Sequence, residues 1–110
     1  MFSLLDIYLC NRYNETMIKT FADKETEKIY HQTFSAKLPH NMQKIALRKL
    51  MMMDNAAGLE DLRVPPSNHL ERLSGDRKGQ HSIRINDQYR ICFRATDAGD
   101  FTDVEIVDYH

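Results

Sequence analysis

The stretch Ser82-Ile83-Arg84-Ile85-Asn86-Asp87-Gln88-Tyr89-Arg90-Ile91-Cys92-Phe93-Arg94 decides the fold. Apolar and polar side chains alternate on both sides of Asn86-Asp87-Gln88, the pattern of two strands joined by a tight turn. On the first strand Ile83 and Ile85 share a face, with Ser82 and Arg84 on the other. On the return strand Tyr89, Ile91 and Phe93 alternate with Arg90, Cys92 and Arg94. Arg84, Arg90 and Arg94 converge or separate according to the register. Strict alternation puts His81 on the Ile83 side, away from Arg84.

Outward from the hairpin, Leu70-Glu71-Arg72-Leu73 alternates, and Gly75-Asp76-Arg77-Lys78-Gly79 turns the chain into the strand that opens at His81. Downstream, Ala98-Gly99-Asp100 is a turn, and Val104-Glu105-Ile106-Val107-Asp108-Tyr109 closes the sheet. Upstream, Pro39 separates two helical segments. The first follows Asp23, has acids in its first turn, and sets Ile29, Tyr30 and Phe34 at helical spacing. The second runs from about His40 to about Asp54, with Met42, Ile45, Ala46, Lys49-Leu50 and Met53 as its stripe and Gln43, Lys44 and Arg48 facing water. Met51-Met52-Met53 cannot share one helix face, so these residues read as core filling rather than a thioether metal site. Asn55 to Asn68 reads as a loop broken by Gly58 and Pro65-Pro66, with a short turn at Glu60-Asp61-Leu62. The expected architecture is α+β: two N-terminal helices packed on a small antiparallel meander of three or four strands.

At 110 residues, with 42% hydrophobic and 28% charged residues, the chain has the size and composition of one ordinary globular domain. Its net charge of −1 is unevenly spread. From Arg63 to Arg94 seven basic residues stand against three acidic ones, while five acids follow from Asp97 to Asp108. The basic cluster permits contact with nucleic acid. It equally permits cross-strand pairing of the arginines with Glu71, Asp87, Glu105 or Asp108. Cys10 and Cys92 share no metal-ligand or redox spacing, so both are expected as reduced thiols of a cytoplasmic protein, Cys92 in the core. The apolar start is interrupted by Asp6, lacks a basic leading region and is too short to span a bilayer. Met17 opens a second plausible start, and Ile18-Lys19-Thr20-Phe21 suits an edge strand. The domain is therefore expected over residues 17–110, with residues 1–16 an N-terminal extension or a misassigned start.

Two features carry chemistry. A basic sheet face with aromatic neighbours suits gripping a phosphodiester and stacking a splayed base. The ending Asp108-Tyr109-His110 groups a carboxylate, a phenol and an imidazole. Imidazole titrates nearest neutrality and suits general acid or base work. The terminal carboxylate on His110 favours the imidazolium, a donor to a leaving oxygen.

The blocks Leu70 to Gly79, Ser82 to Arg94 and Val104 to His110 together closely resemble the HigB toxins of the RelE/ParE superfamily. The resemblance runs from Met17 onward, Met17-Ile18-Lys19 included. It implies a RelE-like sheet with helices on one face, and a ribosome-dependent endoribonuclease that cleaves messenger RNA without metal or cofactor. It also implies neutralisation by a HigA-like helix-turn-helix antitoxin, with operator DNA bound only through that partner and no membrane involved. Carried over residue by residue, Arg84 and Arg90 hold the phosphate, Tyr109 and His110 form the C-terminal catalytic pair, and Asp108 tunes His110. Arg77, Lys78, Arg94, Tyr89 and His81 supply the RNA-binding surface. His81 and Tyr89 stand where relatives often have Tyr and Trp, and Ala95 replaces an aromatic. Where some relatives carry a histidine before the Gly-Asp-Arg turn, this chain has Glu71, with His69 just upstream. The competing expectation is a catalytically weak module that binds the antitoxin in operon autoregulation.

Overall fold

A computed structural model describes residues 16–109, so most of the N-terminal extension, Cys10 and His110 lie outside the described residues. Helix α1 spans Lys24–Tyr30 and α2 spans His40–Asp54. Strands β1 (Glu71–Arg72), β2 (His81–Arg84), β3 (Tyr89–Ala95) and β4 (Phe101–Asp108) form one sheet in chain order, each pair antiparallel. The meander has four strands among the described residues. The loop from Asn55 to Asn68 carries two 3-10 turns, Leu59–Arg63 and Pro66–Asn68, and Gly75–Arg77 is a third.

The β2–β3 register sorts the side chains. Ile83 lies opposite Ile91 and His81 opposite Phe93, while Ser82 faces Cys92 and Arg84 faces Arg90. The first pairs belong to the face under the helices, where Ile83, Ile91, Phe93, Phe101 and Val104 join Ile29, Met42, Ala46, Leu50 and Met53 in one core. Phe93 and Phe101 meet edge to face, with centroids 5.1 Å apart, a geometry that adds about 0.5–1.5 kcal/mol to their burial.

Strand β4 begins three residues before the alternating run that marks it in the sequence. Cys92 pairs with Glu105 but Arg94 pairs with Thr102, so β4 holds one extra residue, a β-bulge. Asp103, at φ 52, is in the left-handed region there. The bulge resets the alternation and lets Phe101, Val104 and Ile106 all face the core despite their uneven spacing. Residues 17–22 run parallel along the free edge of β4, where the sequence predicts an edge strand, but as two isolated bridges, Ile18 to Phe101 and Phe21 to Val104, and not a continuous strand. The Lys19 amide donates to Phe101 O at 2.8 Å and the Ala22 amide to Val104 O at 2.9 Å.

Asp54, at the end of α2, ties three elements. Its Oδ1 accepts the Ile18 amide at 3.0 Å, and its Oδ2 accepts the Tyr30 hydroxyl of α1. Two expectations for the helices change. Helix α1 stops at Tyr30, because the amides of Gln32 and Thr33 bond back to Ile29 O and Lys28 O as the chain turns at Gln32 (φ 64); Phe34 lies beyond it, 57% exposed. Gln43 does not face water. It is buried, accepting from the Ser35 amide at 3.0 Å and donating to Ser35 O at 2.7 Å and Leu38 O at 2.9 Å, which closes the α1–α2 connection.

The Tyr30 phenol is pushed up to about 12, first by burial and then by its bond to Asp54. A raised phenol contributes stability that is present below the ordinary tyrosine value of 10 and is lost as pH rises through about 12. Tyr30→Phe should lower unfolding stability at neutral pH by about 1–2 kcal/mol in urea titrations. It should also delete the latest-titrating phase of phenolate absorbance; a late phase that persists in the variant excludes Tyr30 as its source.

Candidate functional site

The face of the sheet away from the helices collects the polar residues. Arg84 and Arg90 are Cα partners across β2 and β3, so both side chains leave the sheet on the same face. Like charges directly opposite destabilise a ladder, and each arginine here has an anchor. Arg84, about a third exposed, pairs with the fully exposed Asp87 of the hairpin turn. Arg90 is only 9% exposed. Its Nε donates to Ser82 Oγ at 2.7 Å, its Nη2 donates to the His69 carbonyl, and Glu71 Oε1 lies 3.8 Å from Nη2. The Arg90 guanidinium carbon sits 5.9 Å from the centroid of the Tyr109 ring, within cation–π reach. Tyr109 is 40% exposed and is fixed by its amide, which donates to Gln88 O at 2.6 Å.

Arg77 joins the same face. Its Nη1 donates to Gln80 Oε1 at 3.0 Å and to Glu105 Oε1 at 3.3 Å, and Glu105 stands opposite Cys92 on β4. Cys92 is fully buried, and burial pushes its thiol up, so it is a core thiol and not a nucleophile. Arg94 is exposed and lies 3.4 Å from Asp103 at the bulge. Gly79, at φ +93, leaves room for it, since a Cβ there would meet Arg94 Nη1 at 2.7 Å. Lys78 is exposed beside the 75–77 turn.

The structure thus gathers Arg84, Arg90, Tyr109 and Arg77 on one face. Three other candidates stand apart. Tyr89 belongs to the core, 9% exposed among the helix-facing residues, so it offers no open ring for a base. His81 is also on the helix-facing side, stacked on Phe93 at 6.3 Å, with its Nδ1 buried and unpartnered among the described residues. Asp108 lies opposite Tyr89, off the Arg90 face, and accepts from Gln88 Nε2 at 3.1 Å. His110, the remaining member of the catalytic set, lies outside the described residues. His31 and His40 lie on the surface, apart from this face.

Sequence reasoning missed the groups that hold Arg90. Ser82 was visible on the arginine face by alternation alone. The His69 carbonyl was not, because it depends on a left-handed backbone (φ 45) that no local motif announces. Among the described residues no three His, Cys, Asp or Glu side chains converge as a metal-ligand set, and no helix is long and apolar enough to cross a membrane.

A family model described as a RelE-like toxin of type II toxin–antitoxin system HigB matches residues 19–110. The chain is 40% identical over 82 residues to toxin HigB-1 of Vibrio cholerae serotype O1, an alignment covering 74% of this chain and 86% of that protein. It is 43% identical over 65 residues to an uncharacterized protein of Haemophilus influenzae, covering 59% of this chain and 63% of the other.

The pKa of His81 is held below the ordinary histidine value, first by burial, then by Arg72 and Arg63, with Glu60 opposing. The unfolded chain therefore binds this proton more readily. The resulting stability is complete above the ordinary value of 6.5 and is lost as pH falls from there toward the depressed folded value. Urea midpoints measured between about pH 8 and about pH 5 should decline over that window, and His81→Phe should flatten the decline. An equal decline in the variant would assign it to another group.

Proposed function

The chain belongs to the HigB-like, RelE-type toxins of type II toxin–antitoxin systems, and from that premise we propose that it is a ribosome-dependent endoribonuclease that inhibits translation by cutting messenger RNA in the cytoplasm. A toxin of such a system pairs with an antitoxin; on this reading the partner is a HigA-like helix-turn-helix protein, which alone contacts operator DNA. The observation that carries the proposal is the pairing of Arg84 and Arg90 in register on one sheet face, with Tyr109 beside Arg90. Two opposed guanidinium groups repel across the ladder, and an anion received between them would relieve that repulsion.

The chemistry is attack of the RNA 2′-hydroxyl on its neighbouring phosphate. It needs a base for the hydroxyl proton, cations for the developing phosphorane charge and an acid for the departing 5′-oxygen. Arg90, locked by Ser82 and the His69 carbonyl, is preorganised to meet that charge without rearranging. Arg84 is tied only to an exposed carboxylate, and such pairs contribute about 0–1 kcal/mol, so its guanidinium is cheaply transferred to a phosphate. Tyr109 orients the substrate beside Arg90. His110, with Asp108 near it in sequence, is assigned as the proton donor. Arg77, Lys78 and Arg94 extend the cationic face along the RNA backbone. The small net charge of the chain suits an enzyme whose substrate is delivered by the ribosome, since autonomous RNA affinity grows with the number of phosphate contacts.

A second reading, a catalytically weak antitoxin-binding module, is favoured by the acidic neighbour that each of Arg77, Arg84, Arg90 and Arg94 has within the fold. Induced expression of the full chain separates the two. On the nuclease reading, growth stops and primer extension finds discrete cuts in translated frames. Arg90→Ala should reduce cleavage by about 100-fold or more, and His110→Ala by about 100–10,000-fold, in proteins that still bind the antitoxin. Intact transcripts and normal growth with folded wild-type protein would leave the binding module as the function.

A further inference from the structure

Lys49 of α2 is 8% exposed, and its ammonium donates to Asn68 Oδ1. Among the described residues it has no ion pair with a carboxylate, and desolvating an ammonium against a neutral amide is costly. Burial holds its pKa below the ordinary lysine value, and Arg48 and Arg84 act in the same direction. A leucine here would fill the stripe without that cost, so the charge has another use.

Asn68 shows what it is. The residue is fully buried, and its Nδ2 donates to Leu62 O at 3.1 Å and Val64 O at 3.4 Å. A side-chain amide can flip between two similar shapes. An ammonium against Oδ1 permits only one of them, with the NH2 group turned to the two loop carbonyls. The next residue, His69, takes the left-handed backbone conformation, φ 45, which is unfavourable for a residue with a Cβ. Its carbonyl is the acceptor for Arg90 Nη2. The contacts run without a break from Lys49 through Asn68 and His69 to Arg90.

We infer that Lys49 is a positioning residue: through Asn68 it fixes the 62–69 loop so that the His69 carbonyl holds the Arg90 guanidinium in place on the phosphate-binding face. The inference rests on the role given to Arg90 above, but its test does not. In full-length protein labelled with nitrogen-15, the buried Arg90 Nε–H bonded to Ser82 gives a slowly exchanging resonance, assigned by its loss in Arg90→Lys. Lys49→Met should shift that resonance and speed its exchange by about tenfold or more, whereas Lys49→Arg should restore it. In cleavage assays on ribosomes Lys49→Met should lower kcat by about 10–100-fold with little change in KM. An unchanged Arg90 resonance in folded Lys49→Met, whatever its stability, overturns the inference. Should Lys49→Met fail to fold, Asn68→Asp decides: it keeps an oxygen for Lys49 but removes both donors to the loop. An Arg90 resonance that moves in Asn68→Asp supports the relay, and one that stays overturns it. If wild-type protein cleaves no RNA, the nuclease reading fails while the resonance still reports on the relay.

Discussion

The register of β2 against β3 is the constraint on which the other features depend. Pairing Ile83 with Ile91 and Arg84 with Arg90 gives the sheet one face for the helices and one that carries the arginines. A slip of β3 by one residue against β2 would send Ile91 and Phe93 to water and turn Arg90 and Arg94 toward the helices. The Asn86 side chain helps pin the turn, its Oδ1 accepting the amides of Gln88 at 2.9 Å and Tyr89 at 2.8 Å. The same alternation therefore builds the core and the charged face, so the site cannot be altered on β3 without consequence for packing.

The edges of the sheet are handled separately. On the β4 side the bulge at Asp103 keeps Phe101 in the core, and Met17–Ala22 covers the exposed ladder. Thr26 adds a cross-link, its hydroxyl accepting the Ile106 amide at 2.9 Å and seating α1 on β4. On the β2 side, β1 pairs only at Glu71 and Arg72, and the short strand leaves the far end of β2 to the Pro66–Asn68 turn. There the loop carbonyl of His69 reaches Arg90. An edge that a longer β1 would have closed is instead where the chain brings a backbone oxygen to Arg90.

Much of this was legible from period alone. The α2 boundaries, the hairpin turn and the partition of Arg84 and Arg90 from Ile83 and Ile91 follow from alternation and from the positions of Pro39 and Asn86. What failed did so for local reasons. Phe34 has helical spacing, but spacing does not report where a helix is stopped by a backbone turn. Gln43 reads as solvent-facing because its type is polar, yet its amide satisfies three backbone groups of the connection that precedes it. Tyr89 resembles a stacking residue by type, while its parity with Ile91 already assigned it to the core. The cradle around Arg90 comes from residues 8 and 21 positions away in sequence, linked by a loop whose geometry has no periodic signature.

The arginines of the charged face are not equivalent, and their differences argue for a division of labour. Arg84 and Arg94 are paired with exposed carboxylates, contacts that water and salt weaken and a phosphate can displace. Arg90 is buried against a hydroxyl and a carbonyl, neutral acceptors that fix its direction without cancelling its charge. Glu71, at 3.8 Å and more than half exposed, adds only a loose ion pair. A guanidinium meant only to stabilise the fold would gain most from a tight bidentate carboxylate. One aimed by neutral acceptors keeps most of its positive field, which is what the proposed nuclease asks of Arg90.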